Sequence, residues 1–90
     1  MTESASAPDS HIESILMMLV QQRGLHASAC PSEVARALAA EDWRALMPQV
    51  RAVASRLARQ EQIEITQRGQ AVSPDGPWKG PIRLRLPRQD

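Results

Sequence analysis

Arginine and lysine are the side chains of this sequence best supplied to act on a partner, and they are distributed unevenly. Residues 1–42 carry two arginines against six acidic residues, a formal charge of −4. Residues 43–90 carry eight arginines and one lysine against four acids, a charge of +5. The net charge of +1 is therefore a cancellation between two unlike halves. A cationic surface gains affinity for nucleic acid by releasing the counterions condensed on phosphates, and an arginine fork can also contact guanine bidentately in the major groove.

Other chemistries are poorly provided for. One cysteine excludes an internal disulfide, and one cysteine with His11 and His26, 15 positions apart, gives no zinc spacing. Cys30 lies beside an expected helix start, where the dipole favours a thiolate, but no histidine accompanies it, so it reads as a cap. No nucleophile–base pair and no glycine-rich phosphate loop is present, so the chain reads as a non-enzyme without a cofactor. With two tryptophans and neither phenylalanine nor tyrosine, base stacking of the kind RNA-recognition sheets use is also unsupplied. No apolar run reaches the ~18–20 residues of a membrane span. The start Met1-Thr2-Glu3-Ser4 is acidic and polar, unlike a secretory signal. The expectation is a soluble cytoplasmic protein.

Ninety residues allow one domain. Residues 1–9 are rich in Ser and Ala without apolar periodicity and read as a disordered tail, with 88–90 as a short C-terminal one. The domain spans 10–87. Ser10 and Glu13 have the spacing of a capping box, and Ile12, Ile15, Leu16 and Leu19 recur at helical steps, so a helix is expected over 10–22, closed by Gly24. A second helix begins at Cys30-Pro31-Ser32-Glu33, where proline suits the first helical position and Glu33 the positive end of the dipole. Its stripe is Val34, Ala35 and Leu38, and it ends near Ala39 or Ala40.

Asp42 is placed to cap a third helix over 43–60, with Leu46, Val50, Val53, Ala54 and Leu57 inward and Pro48 interrupting it. From Gln62 the period changes to two. Residues 62–66 and 82–86 read as strands joined by a tip that includes Ser73-Pro74-Asp75-Gly76-Pro77. Three helices followed by a two-stranded hairpin make an α+β winged helix-turn-helix.

The segments Cys30-Pro31-Ser32-Glu33-Val34-Ala35-Arg36-Ala37-Leu38, Asp42-Trp43-Arg44-Ala45-Leu46-Met47-Pro48-Gln49-Val50-Arg51 and Gly80-Pro81-Ile82-Arg83-Leu84 carry a resemblance that covers about residues 12–86. The chain resembles a family of small bacterial proteins, domain of unknown function 3253. The resemblance implies a winged-helix fold and brings no activity, ligand or catalytic residue with it.

Function is therefore argued from charge and placement. The positive half coincides with the third helix and the hairpin, the elements a winged helix presents to DNA. Gln49, Arg51, Ser55 and Arg56 are expected to approach the major groove, and Arg59, Arg68 and Lys79 to contact phosphate, the last two from the wing. The competing reading is ordinary surface pairing: Arg83 and Arg85 with Glu64 across the hairpin, and Arg44 and Arg51 with Glu41 and Asp42. Trp43 is expected to fill the junction of the second and third helices and Trp78 to anchor the wing loop. Two functions follow: a DNA-binding module in transcription regulation, or a protein-interaction module that docks a protein partner, or a second copy, through the first helix around Met17, Met18 and Val20. Neither requires a metal or a membrane.

Overall fold

A computed structural model of the chain describes residues 8–87. Of the tails expected at 1–9 and 88–90, residues 1–7 and 88–90 lie outside the described residues, and Asp9 already belongs to a helix. In chain order the elements are α1 (Asp9–Arg23), α2 (Pro31–Leu38), α3 (Trp43–Arg59), β1 (Glu64–Gln67), β2 (Gln70–Ala71) and β3 (Arg83–Arg85). The strands form one antiparallel sheet in the order β2-β1-β3. The fold is α+β, three helices followed by a small antiparallel sheet, and is compatible with a winged helix-turn-helix.

Helix α1 buries Ile12, Leu16 and Val20, one residue per turn, while Ile15 and Leu19 pack half-buried beside them. The expected Ser10–Glu13 capping box does not form. The helix starts one residue earlier, where the Pro8 carbonyl accepts from the His11 and Ile12 N–H groups at 3.0 and 3.1 Å, and Glu13 turns instead to Arg56 of α3. Gly24 ends α1 at a φ of +79°, a conformation open to glycine and costly to other residues.

At the start of α2 the Glu33 carboxylate accepts from the Cys30 N–H at 2.9 Å and also pairs with Arg23, so one side chain ties the end of α1 to the start of α2. Helix α3 runs unbroken through Pro48. Proline removes the bond to the carbonyl four residues back, and because Arg44 and Pro48 are both exposed, water can satisfy that carbonyl. The apolar residues expected on its inner face, Leu46, Val50, Val53, Ala54 and Leu57, are all buried.

The helix closes with paired bonds, Glu61 N–H to the Ala58 carbonyl and Gln62 N–H to the Leu57 carbonyl. This is a Schellman arrangement, and it holds Glu61 at a φ of +62°. The chain then enters β1. Ile65 opposes Leu84 across the β1–β3 ladder, and both are buried with Ile63 and Ile82 against the helices. Fully burying such an aliphatic side chain contributes about 1.5–3 kcal/mol.

The sheet departs from the expected simple hairpin in two ways. Arg68 and Gly69, at φ +53° and +81°, form a two-residue turn that folds β2 back on β1, as turns with two positive φ angles do. Ala29, just before α2, exchanges two backbone bonds of 2.7 and 2.8 Å with Leu84, which covers the other edge of β3.

Candidate nucleic-acid interface

Two parts of the α3 surface are taken by neighbours and one is left open. One stripe faces α1: Gln49 donates to Asp9 at 2.9 Å, and seven residues on Arg56 pairs with Glu13 at 2.9 Å. A second stripe faces the loop after β2. There Ser55 donates to the Pro74 carbonyl at 2.6 Å and accepts from Arg59 at 3.1 Å, while Arg59 Nε lies 3.1 Å from Asp75. N-terminal to this second stripe, on the same side of the helix, Arg44, Pro48 and Ala52 form an open stripe, with Arg51 half-buried at its margin.

Ser55 therefore does not face outward as expected. It is 9% exposed, because a loop from 19 residues further along the chain closes over it. Gln49 and Arg56 are turned toward α1 rather than toward solvent, and Arg59 serves the loop.

The junction of α2 and α3 carries an arrangement that charge counting does not reveal. The guanidinium carbons of Arg36 and Arg44 lie over the Trp43 ring, 4.3 and 4.5 Å from its centroid. Each such cation–π contact at an exposed site is worth about 0.5–1 kcal/mol. Trp43 is half-buried against the core at this junction, as expected. The anticipated pairing of Arg44 and Arg51 with Glu41 and Asp42 does not occur, and Arg51 has no ion-pair partner among the described residues. The signal for this stack lies in the sequence as a lone tryptophan with arginines seven residues before it and one after, separated by a short turn.

In the wing, Gln67, Arg68, Lys79, Gly80, Pro81 and Arg83 line an open cleft of about 540 Å³. Three of the six are cations and none is acidic. The Gln67 side-chain amide braces the cleft by donating to the Lys79 and Pro81 carbonyls at 2.8 and 3.2 Å. Arg83 does not pair with Glu64. Its Nε and Nη2 donate to the hydroxyl and the carbonyl of Ser28 at 2.8 and 3.0 Å, across 55 residues of sequence. Arg85 does take Glu64, its cross-strand neighbour, with Nε donating at 2.8 Å. Arg68 and Lys79 are exposed and make no ion pair among the described residues.

Among the described residues the arginines and the lysine thus sort into two sets. Arg23, Arg56, Arg59 and Arg85 are paired with carboxylates. Arg36, Arg44, Arg51, Arg68, Lys79 and Arg83 are not. The expected contact set of Gln49, Arg51, Ser55, Arg56, Arg59, Arg68 and Lys79 is thereby split, with Arg51, Arg68 and Lys79 in the unpaired set.

The remaining candidates have structural roles. Cys30 accepts from the Ser32 hydroxyl at 3.1 Å in the first turn of α2. Trp78 donates its ring N–H to the Ser73 carbonyl at 2.8 Å and stacks against Gly76, anchoring the loop. Among the described residues no group of three His, Cys, Asp or Glu side chains could hold a metal ion, and no helix is long and apolar enough to cross a membrane.

Three helices followed by a short three-stranded antiparallel sheet define a small α+β domain. Residues 9–87 match the family described as protein of unknown function DUF3253, and the chain belongs to that family. No curated protein matches the chain.

Proposed function

We propose that this protein is a winged-helix module that binds double-stranded DNA and serves in transcription regulation. One observation carries the reading: among the described residues, the six cations without carboxylate partners lie on the α2–α3 helix-turn-helix and the wing. An arginine already neutralised by a carboxylate has less to gain from a phosphate, whereas an unpaired one releases a counterion for each phosphate it meets. On this reading Arg44 and Arg51, on and beside the open stripe of α3, meet phosphates that flank the groove, and Arg68, Lys79 and Arg83 follow the backbone from the wing. Sequence discrimination would rest on few base contacts, since a single module buries only about 600–1,000 Å² on DNA.

The experiment is a titration of the protein into a fluorescently labelled random-sequence duplex at several salt concentrations. Binding near 50 mM salt that weakens steeply by 200 mM is the expected result. Absence of binding at 50 mM salt contradicts the proposal.

A second reading, docking of a protein partner through α1, has one observation in its favour. Met18 and Leu25 are 45% and 50% exposed, at the middle of α1 and just beyond its end. Recovery of a stoichiometric partner lost on Met18→Lys, with no duplex binding, would favour it.

A further inference from the structure

We propose that the wing cleft is a preformed site for one phosphate of the nucleic-acid backbone, with Arg83 as its fixed donor and Arg68 and Lys79 as its mobile ones. The proposal rests on the DNA-binding reading and adds to it a location and a ligand group. Most surface arginines sample many rotamers, and holding one in place costs side-chain entropy when a ligand binds. Arg83 is already held, because Ser28 takes two of its N–H donors, at the hydroxyl and at the carbonyl. Its remaining donors have no partner among the described residues, and the side chain borders the cleft.

The opposite wall is equally defined. Arg68 sits in a turn whose φ of +53° is fixed by the β1–β2 pairing, and Lys79 leads into the segment that Gln67 braces through two carbonyls. Three cations around one open cleft, with no carboxylate among its lining residues, have no ion-pair partner among the described residues. A phosphodiester is the matching group: it is anionic, it accepts several hydrogen bonds, and arginine can engage it with two parallel donors. Such a wing would track the backbone beside the groove, with Arg83 setting the register and sequence being read elsewhere.

The test compares wild type with Arg68→Asn/Lys79→Gln, asparagine being chosen because it tolerates the left-handed backbone of position 68. Duplex affinity is measured against salt, and backbone amide shifts are followed with the duplex and, separately, with inorganic phosphate at matched ionic strength. The expected result is a log–log salt slope smaller by up to about one in the double variant, as the loss of one phosphate contact requires, with the duplex shifting the amides of residues 68, 69, 79, 80 and 83. If the double variant is less stable, Lys79→Gln alone reads a smaller drop in the same direction. An unchanged slope with unmoved wing amides, while the duplex still binds, overturns the wing site and leaves the DNA-binding reading standing. No duplex binding at 50 mM salt overturns both. Inorganic phosphate moving these amides while the duplex leaves them still assigns the cleft to a free phosphate and overturns the backbone proposal.

Discussion

The Ser55 hydroxyl donates to the Pro74 carbonyl at 2.6 Å, fastening the second half of α3 to the loop that leads into the wing. Arg59 reinforces the same junction from Ser55 to Asp75. Because that bond is largely buried, Ser55→Ala leaves the Pro74 carbonyl without its donor, at a cost of about 1–2 kcal/mol. In a domain of this size each kcal/mol lowers the unfolding midpoint by about 4–8 °C. The slope of duplex binding against salt should not change. An unaltered midpoint together with weakened duplex binding would make Ser55 a ligand contact instead.

Two substitutions at conformationally costly positions should stabilise the fold. Glu61 carries the left-handed conformation of the Schellman cap, so Glu61→Gly should gain about 0.5–1 kcal/mol, part of the relief being offset by the greater freedom of glycine in the unfolded chain. Pro48→Ala restores a helical N–H, and should gain about 1 kcal/mol. Chemical denaturation measures both. A loss of stability in either would mean that α3 is held by contacts other than those described above.

The stack at the α2–α3 junction is tested by a double-mutant cycle between Trp43→Leu and Arg44→Gln. A coupling energy of about 0.5–1 kcal/mol is expected. Strictly additive effects would show that Arg44 lies over the ring without being held by it. Arg36→Gln in the same cycle should behave alike, since its guanidinium lies as close.

A core substitution checks the register of the sheet. Leu84 is fully buried, opposes Ile65 and bonds through its backbone to Ala29. Leu84→Ala should cost about 2–5 kcal/mol, whereas Arg83→Ala, one residue away on the exposed side, should cost far less. Similar losses at both positions would contradict the alternation.

The helices were legible in the sequence because their information is local. The inner stripe of α3 follows from a 3.6-residue period, and all five of its expected residues are buried. Pro48 misleads as a break because a propensity argument cannot see that the affected carbonyl lies on the solvent side. Ser55 lies off the apolar stripe and reads as a surface residue; a loop distant in sequence covers it. Gln49 and Arg56 lose their outward reading the same way, to the first two turns of α1. The wing was legible only as alternation and turn residues. Nothing local signals that Ser28 will hold Arg83, or that Ala29 will extend the sheet. The cross-strand pair Glu64–Arg85 was legible, since strand register alone brings the two together.

Duplex binding should follow the unpaired cations and not the total charge. Arg44→Gln/Arg51→Gln and Arg56→Gln/Arg59→Gln remove the same two charges, from cations without carboxylate partners in the first case and from ion-paired ones in the second. Salt-dependent duplex binding of the two variants measures the difference directly. The first should lower the log–log slope by about two and the second by well under one. Equal losses in the two variants would show that net charge alone governs binding and would contradict the account.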